Sequence, residues 1–175
     1  DALTQAKDLT PEKPETLFFL GLAYFAKNDI DKAIYYIESA DDYGYEPKEQ
    51  INLKLGDLYL LKENYRKAAK KYEVFLQKNS TNLEIFTRTV WLNIDKLDNP
   101  EKALALSQKA QEKHPEEAMS YNLLGWSYTA LGNFTEARKN LGTALSLEPE
   151  FDAANLNFGW LYEKQGDNLL AKEYY

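Results

Sequence analysis

The sequence predicts an all-α protein, a solenoid of stacked antiparallel helix-turn-helix repeats, and three observations support this fold class. Four residue columns recur along the 175-residue chain at spacings of 34 and 35 residues. Short polar segments divide the chain between these columns into helix-length pieces. The columns also combine small residues with large apolar ones, as two helices in close contact require. Self-similarity at such a period is the signature of a repeat architecture.

The columns define the first and second helix of each unit. The most conspicuous column is glycine with one tryptophan: Gly21, Gly56, Trp91, Gly125 and Gly159. A large apolar residue precedes it each time: Leu20, Leu55, Val90, Leu124 and Phe158. Three residues after it comes a column of tyrosine and isoleucine: Tyr24, Tyr59, Ile94, Tyr128 and Tyr162. Nine residues further on stands alanine in every unit: Ala33, Ala68, Ala103, Ala137 and Ala171.

Polar turns are expected between the two helices of each unit. They read Lys27-Asn28-Asp29, Lys62-Glu63-Asn64, Asp98-Asn99-Pro100, Gly132-Asn133 and Gly166-Asp167. Glycine here suits the end of one helix, and Asn or Asp suits the start of the next. Pro100 is compatible with a first helical turn.

This pattern resembles the tetratricopeptide repeat, a helix-turn-helix unit of about 34 residues. Residues 118–151 match the whole motif: Tyr121, Leu124, Gly125, Tyr128, Ala137, Leu141, Ala144 and Pro149. The resemblance covers essentially the whole chain and implies a right-handed superhelix of repeats. It does not specify a function, because the same scaffold serves many systems.

The register divides the chain into six segments. Residues 1–13 are expected to be the remnant second helix of a preceding repeat, and residues 152–175 a truncated fifth repeat. Four complete repeats are expected at 14–48, 49–83, 84–117 and 118–151. Because both ends then fall within a second helix, we expect a fragment of a longer repeat protein, and hypothesise that its uncapped ends self-associate.

The repeat at 84–117 is degenerate. Trp91 occupies the glycine position, Thr87 replaces an apolar residue of the first helix, and Ser107 replaces one of the second helix. Since a tryptophan does not permit the usual close approach, the two helices of this repeat should splay or rotate. A partner site at Trp91 is the alternative interpretation.

One face of the first helices is the predicted binding surface. Since each residue advances about 100° around a helix, positions 2, 5, 9, 12 and 13 of each repeat point away from the second helix. The resemblance implies that this face lines a concave groove for peptides or helices of partners. The predicted groove residues are Phe18, Leu22, Phe25, Leu53, Asp57, Leu60, Arg88, Lys96, Asn122, Trp126, Trp160 and Glu163. Alternatively, neighbouring first helices bury part of this face against one another.

The apolar character of this face favours a protein-interaction module. We expect a non-catalytic scaffold whose partner is a protein or peptide with an apolar or amphipathic segment. Aromatic residues such as Trp126 and Trp160 are expected to dominate the binding energy. Two alternatives stay open: a structural spacer or self-assembling segment whose groove is filled by its own chain or another copy, and a regulator of an enzyme domain outside this segment.

Composition argues against several other classes. The net charge of -7 disfavours nucleic acid as a partner, and no apolar run is long enough to insert into a membrane. The chain has no cysteine, and its one histidine, His114, is expected to be a solvated turn residue. Neither a cofactor motif nor metal-ligand spacing is found. The compartment stays open, with the cytoplasm favoured over the periplasm or the exterior.

A basic cluster at Arg66, Lys67, Lys70 and Lys71 interrupts this acidic background. A solvated helix face is favoured for it over a phosphate-binding role. No glycine-rich turns with interleaved aromatic residues accompany the cluster, as nucleic-acid binding would require.

Overall fold

The computed structural model describes residues 13–79 and 81–175, and these residues form ten α-helices and no strand. The predicted all-α helical-repeat fold class is confirmed. The remnant helix expected at residues 1–13 lies outside the described residues, apart from Lys13, which directly precedes the first helix.

The helices separate into two compact units, one ending at Asn79 and the other extending to Tyr175. The N-terminal unit contains α1 (Pro14–Ala26), α2 (Ile30–Asp42), α3 (Lys48–Leu61) and α4 (Tyr65–Lys78). The C-terminal unit contains α5 (Leu83–Trp91), α6 (Pro100–Lys113), α7 (Ala118–Ala130), α8 (Phe134–Leu147), α9 (Asp152–Gln165) and α10 (Asn168–Tyr174).

Each helix packs on the next one along the chain within its unit. The pairs α1–α2, α3–α4, α5–α6, α7–α8 and α9–α10 form the hairpins, and α2–α3, α6–α7 and α8–α9 join consecutive hairpins. First helices also contact each other in the C-terminal unit, where α7 lies against α9. The apolar columns of the sequence therefore form the core of both units.

The glycine column marks where the two helices of a hairpin meet. A Cβ atom added at Gly56 would lie 2.5 Å from Cε1 of the fully buried Tyr72. At Gly125 it would lie 2.5 Å from Cγ of Leu141. Since carbon atoms at these distances overlap strongly, only glycine fits while the partner side chain keeps its place.

The five turns within hairpins share one backbone design. The residue directly before the helix cap is left-handed in every case: Asn28, Glu63, Asp98, Gly132 and Gly166. The residue after it caps the second helix, as predicted: Asp29, Asn64, Asn99, Asn133 and Asp167. Each cap oxygen accepts the backbone N–H three residues on, at 3.1 to 3.3 Å.

The repeat at 84–117 is irregular in a way that the sequence did not predict. Its first helix changes from α to π geometry over Leu92–Lys96, directly after Trp91. Buried Thr89 and Asn93 each donate a side-chain hydrogen bond to the carbonyl four residues before, at 2.6 and 2.8 Å. Such bonds compete with the helical ladder, but the same bond from Thr129 to the Gly125 carbonyl leaves α7 regular. The splayed arrangement of the two helices that Trp91 led us to expect stays a prediction.

Candidate partner-binding surface

In the N-terminal unit, five of the predicted groove residues form a half-exposed surface on α1 and α3. These residues, which we call the N-terminal face, are Leu22, Phe25, Leu53, Asp57 and Leu60. Phe25 is 36% exposed. The Nζ atom of Lys54 on α3 lies 5.2 Å from the centroid of the Phe25 ring on α1. An aromatic ring covered by a cation therefore joins the two helices at this face.

Phe18, by contrast, is not available to a partner. It is only 5% exposed because its ring stacks on Tyr45, with 4.3 Å between the centroids. The Tyr45 hydroxyl donates a hydrogen bond to Gln50 Oε1 at 2.9 Å. Phe18 is therefore removed from the proposed contact residues. Tyr45 lies in the turn between two repeats, outside every column, so the sequence pattern did not indicate that it covers Phe18.

Carboxylates on this face of the first helices are held by tyrosines that come from the second helices. The ring of buried Tyr72 lies against Gly56, and its hydroxyl donates a hydrogen bond to Asp57 Oδ1 at 2.8 Å. Likewise the Tyr175 hydroxyl donates to Glu163 Oε2 at 2.9 Å. Burial raises the pKa of Tyr175, and the Glu163 carboxylate raises it further, so the hydroxyl keeps its proton. Packing residues thus orient the two acidic groups.

In the C-terminal unit, the corresponding surface lies on α7 and α9. We call it the C-terminal face, and its residues are Trp126, Leu156, Trp160, Glu163 and Lys164. Both tryptophans are half-buried, whereas Leu156, one helical turn before Trp160, is 55% exposed. Lys164 Nζ lies 5.4 Å from the centroid of the Trp160 ring. The result is an apolar surface with a cation at its edge.

Asn122 is the second predicted groove residue that the structure buries. It is 3% exposed, and its Oδ1 accepts a hydrogen bond from Asn157 Nδ2 on α9 at 2.8 Å. A buried amide pair of this kind fixes how α7 and α9 lie against each other. Asn122 is therefore a positioning residue and not a contact residue. The two asparagines occupy different repeat positions, which concealed the pair in the column pattern.

In the degenerate repeat, the groove positions that remain accessible are charged, because its apolar groove positions are buried. Ile85 and Leu92 are in the core. Arg88 is half-buried and pairs with Glu84 at 2.6 Å. Exposed Lys96 has its Nζ 5.5 Å from the centroid of the Trp91 ring.

His114 differs from the solvated turn residue that was expected. It is half-buried, and its Nε2 atom is buried without a hydrogen-bond partner. Its backbone carbonyl accepts from Ser120 Oγ at 2.7 Å, which holds the turn against the start of α7. Local packing of this turn, which periodicity does not encode, accounts for the difference.

Within residues 13–79 and 81–175, no group of three or more His, Asp or Glu side chains is placed to hold a metal ion. None of the helices described in these two ranges combines the length and apolarity needed to cross a membrane.

Two segments of the chain match family models, and both models describe the tetratricopeptide repeat. The matches cover residues 14–43 and 98–148. No curated protein matches the chain in sequence.

Solved structures with a similar fold have low sequence identity to this chain. YrrB, a TPR protein with an unusual peptide-binding site, superposes with a TM-score of 0.71 at 21% identity, covering 99% of this chain and 89% of that chain. MamA from Desulfovibrio magneticus RS-1 superposes with a TM-score of 0.71 at 16% sequence identity, covering 92% of this chain and 90% of that chain. PilW, a widely conserved type IV pilus biogenesis factor, superposes with a TM-score of 0.64 at 22% sequence identity, covering 92% of this chain and 74% of that chain. These similarities show a common fold.

Proposed function

The chain belongs to the tetratricopeptide repeat family, and on this basis we propose that it is a non-catalytic scaffold that binds an apolar or amphipathic segment of a partner protein. The C-terminal face is the proposed principal contact surface. The similar fold of YrrB makes a peptide the first kind of ligand to test.

The single observation that carries this proposal is the pair of half-buried tryptophans beside exposed Leu156. Trp126 and Trp160 occupy the same repeat position on α7 and α9, which are in direct contact. Trp160 and Leu156 are one turn apart on the same helix. Apolar side chains grouped on a surface mark interaction sites, and tryptophans within them often contribute most of the binding energy.

The charged residues at the edges of the C-terminal face predict where the bound segment carries opposite charges. Lys164 lies over Trp160, and Glu163 is oriented by the Tyr175 hydroxyl. We expect the bound segment to place an acidic residue near Lys164 and a basic residue near Glu163. The N-terminal face repeats the aromatic and cationic combination with Phe25 and Lys54.

The test is selection of peptides from a random display library on the immobilised chain, followed by affinity measurement in solution. Selected peptides should be apolar or amphipathic. The double variant Trp126→Ala/Trp160→Ala should bind them at least about tenfold more weakly, because two aromatic anchors are lost. Leu147→Ser is the matched control, since Leu147 is 47% exposed but lies on a second helix.

Circular dichroism and thermal unfolding establish that each variant is folded. Equal binding by the double variant would overturn the assignment of the C-terminal face. Selection of no peptide, together with oligomerisation of the chain in light scattering, would favour the alternative of a self-assembling segment.

A further inference from the structure

A small surface cavity lies between α2, α3 and α4 of the N-terminal unit. Its volume is about 230 Å³, and its walls include Glu38, Asn52, Tyr59, Lys67, Lys70 and Lys71. None of these residues belongs to the N-terminal face. None belongs to the C-terminal face either, so a ligand of this cavity would be independent of the proposed function.

The cavity carries a local surplus of positive charge. Three lysines line it against one carboxylate, that of Glu38. Lys71 Nζ lies 3.7 Å from Asp41 Oδ2, and Asp41 is shared with Lys48, whose Nζ lies 2.7 Å from Oδ1. Four lysines and two carboxylates in this cluster leave a net charge of two positive units. This surplus contrasts with the net charge of -7 of the whole chain.

The rest of the cavity wall is held in place by hydrogen bonds. The Tyr59 hydroxyl donates to the Glu38 carboxylate, and Lys67 Nζ donates to the same hydroxyl oxygen at 3.4 Å. Burial, followed by the bond to Glu38, raises the pKa of Tyr59, so this hydroxyl stays protonated at neutral pH. Asn52 is 9% exposed, and its Nδ2 donates to the Lys48 carbonyl at 2.8 Å.

Lys70 differs from the other two lysines. Lys67 is engaged by Tyr59 and Lys71 by Asp41, whereas the side chain of Lys70 makes no hydrogen bond or ion pair within residues 13–79 and 81–175. A cation that lines a cavity without an anion of its own is available to a ligand.

We propose that this cavity binds a dianionic phosphoryl group. Phosphate carries about -1.5 to -2 charges at neutral pH, which matches the surplus of two, whereas a carboxylate would leave one positive charge uncompensated. Lysine binds phosphate as a point charge, so the three lysines of α4 in this cavity suit a group with several equivalent oxygens. The group comes either from inorganic phosphate or a small phosphorylated molecule, or from a phosphorylated side chain of a partner.

The sequence alone favoured a solvated helix face for this basic cluster. The structure adds to that interpretation because residues of α2 and α3 line one cavity together with the lysines of α4, although Lys67 and Lys70 themselves are exposed. The equivalent positions in the repeat at 118–151 are Glu136, Lys139 and Asn140, so the lysine triad is not a general feature of the repeats. Lys139 therefore supplies a matched control for Lys70.

The test is a titration of the whole chain with inorganic phosphate, followed by NMR of the Asn52 side-chain amide at constant ionic strength set by chloride. We expect saturable shifts with a dissociation constant at or below about 1 mM, equivalent to a binding free energy of about -4 kcal/mol. Lys70→Gln should weaken binding about fivefold to tenfold, and Lys139→Gln should leave it unchanged. A second titration with a phosphoserine peptide and its serine counterpart distinguishes the two sources.

Tighter binding of the phosphoserine peptide than of free phosphate supports a phosphorylated partner, and the reverse supports a small molecule. Shifts that do not saturate, or equal weakening by Lys70→Gln and Lys139→Gln, would overturn the proposal, because either result would indicate non-specific screening. Lys67→Gln provides a second variant and should also weaken phosphate binding.

Discussion

Gly56 illustrates how one residue controls both packing and a surface group. It lies where α3 meets α4, and the ring of Tyr72 occupies the space that a Cβ atom would need. The hydroxyl of the same tyrosine holds Asp57 on the N-terminal face. A change at this glycine should therefore affect stability and the orientation of a surface carboxylate together.

We predict that Gly56→Ala destabilises the chain by about 1–3 kcal/mol, because the added methyl group forces the Tyr72 ring out of its position. Urea denaturation followed by circular dichroism measures the change in the free energy of unfolding. The expected direction is opposite to the usual stabilising effect of alanine in a helix.

Gly142 provides the matched control for this prediction. It lies within α8, and a Cβ atom added there would meet nothing within 4 Å. Gly142→Ala should stabilise the chain by about 0.5–1 kcal/mol, because glycine loses more backbone entropy on folding. If both substitutions changed stability equally, close packing would not be the reason for glycine at position 56.

At the scale of elements, the turn within each hairpin has one geometry but different residues. The residue before the cap has a positive φ even where it is not glycine, as at Glu63, with φ of 55°. The left-handed conformation costs a residue with a Cβ atom about 1–2 kcal/mol. Glycine occupies the same position in the last two hairpins, at Gly132 and Gly166.

We predict that Glu63→Gly stabilises the chain by about 0.5–1 kcal/mol, since relief of the left-handed strain exceeds the added entropy of glycine. The reciprocal change, Gly132→Ala, should destabilise it by about 1 kcal/mol. Thermal unfolding of both variants checks the pair of signs. Destabilisation by Glu63→Gly would mean that the glutamate side chain makes a compensating contact.

The degenerate first helix shows where element prediction from sequence ends. Trp91 in a glycine column was sufficient to predict an irregular repeat. The π segment Leu92–Lys96 contains Asn93 and begins three residues after Thr89, and both side chains bond to backbone carbonyls inside the core. Neither residue lies in a column, so periodicity carried no signal for it.

At the scale of the whole molecule, four tyrosines with a pKa raised by burial link stability to alkaline pH. They are Tyr45, Tyr59, Tyr174 and Tyr175, and Glu38 contributes further at Tyr59. In the unfolded chain tyrosine titrates near pH 10. As pH rises, these tyrosines lose their protons at a lower pH in the unfolded chain than in the folded chain, and this difference stabilises the unfolded state. The stabilisation is complete below about pH 10 and is lost as pH rises toward the folded-state pKa values.

We therefore predict that the free energy of unfolding falls between about pH 9 and pH 11. Tyr59, which is 4% exposed, should contribute most, and Tyr175 little, because its 64% exposure lets solvent screen the shift. Tyr59→Phe should make this fall shallower, whatever its effect on stability at neutral pH. Urea denaturation at several pH values measures both slopes. Identical slopes for the two proteins would show that Tyr59 does not contribute.

The binding surface was predicted only in part. Helical geometry selects positions expected to point away from the hairpin partner, and Trp126 and Trp160 are half-exposed there. Asp57 and Glu163, selected by the same rule, nevertheless accept hydrogen bonds from tyrosines of the second helices. The same rule does not include the positions that a neighbouring element covers, so it did not predict that Phe18 and Asn122 are buried. Contact of the remaining residues with a partner stays a proposal.

The amino-acid sequence by itself determined the helical repeats, the hairpin contact at the glycine column and the caps of the second helices. Each of these depends on residues a fixed distance apart, so periodicity is enough to identify them. Only the tertiary structure decided that Tyr45 covers Phe18, that Asn157 pairs with Asn122, and that the lysines of α4 line a cavity. These contacts join residues outside the columns, and their existence depends on how side chains of different helices fill the space between them.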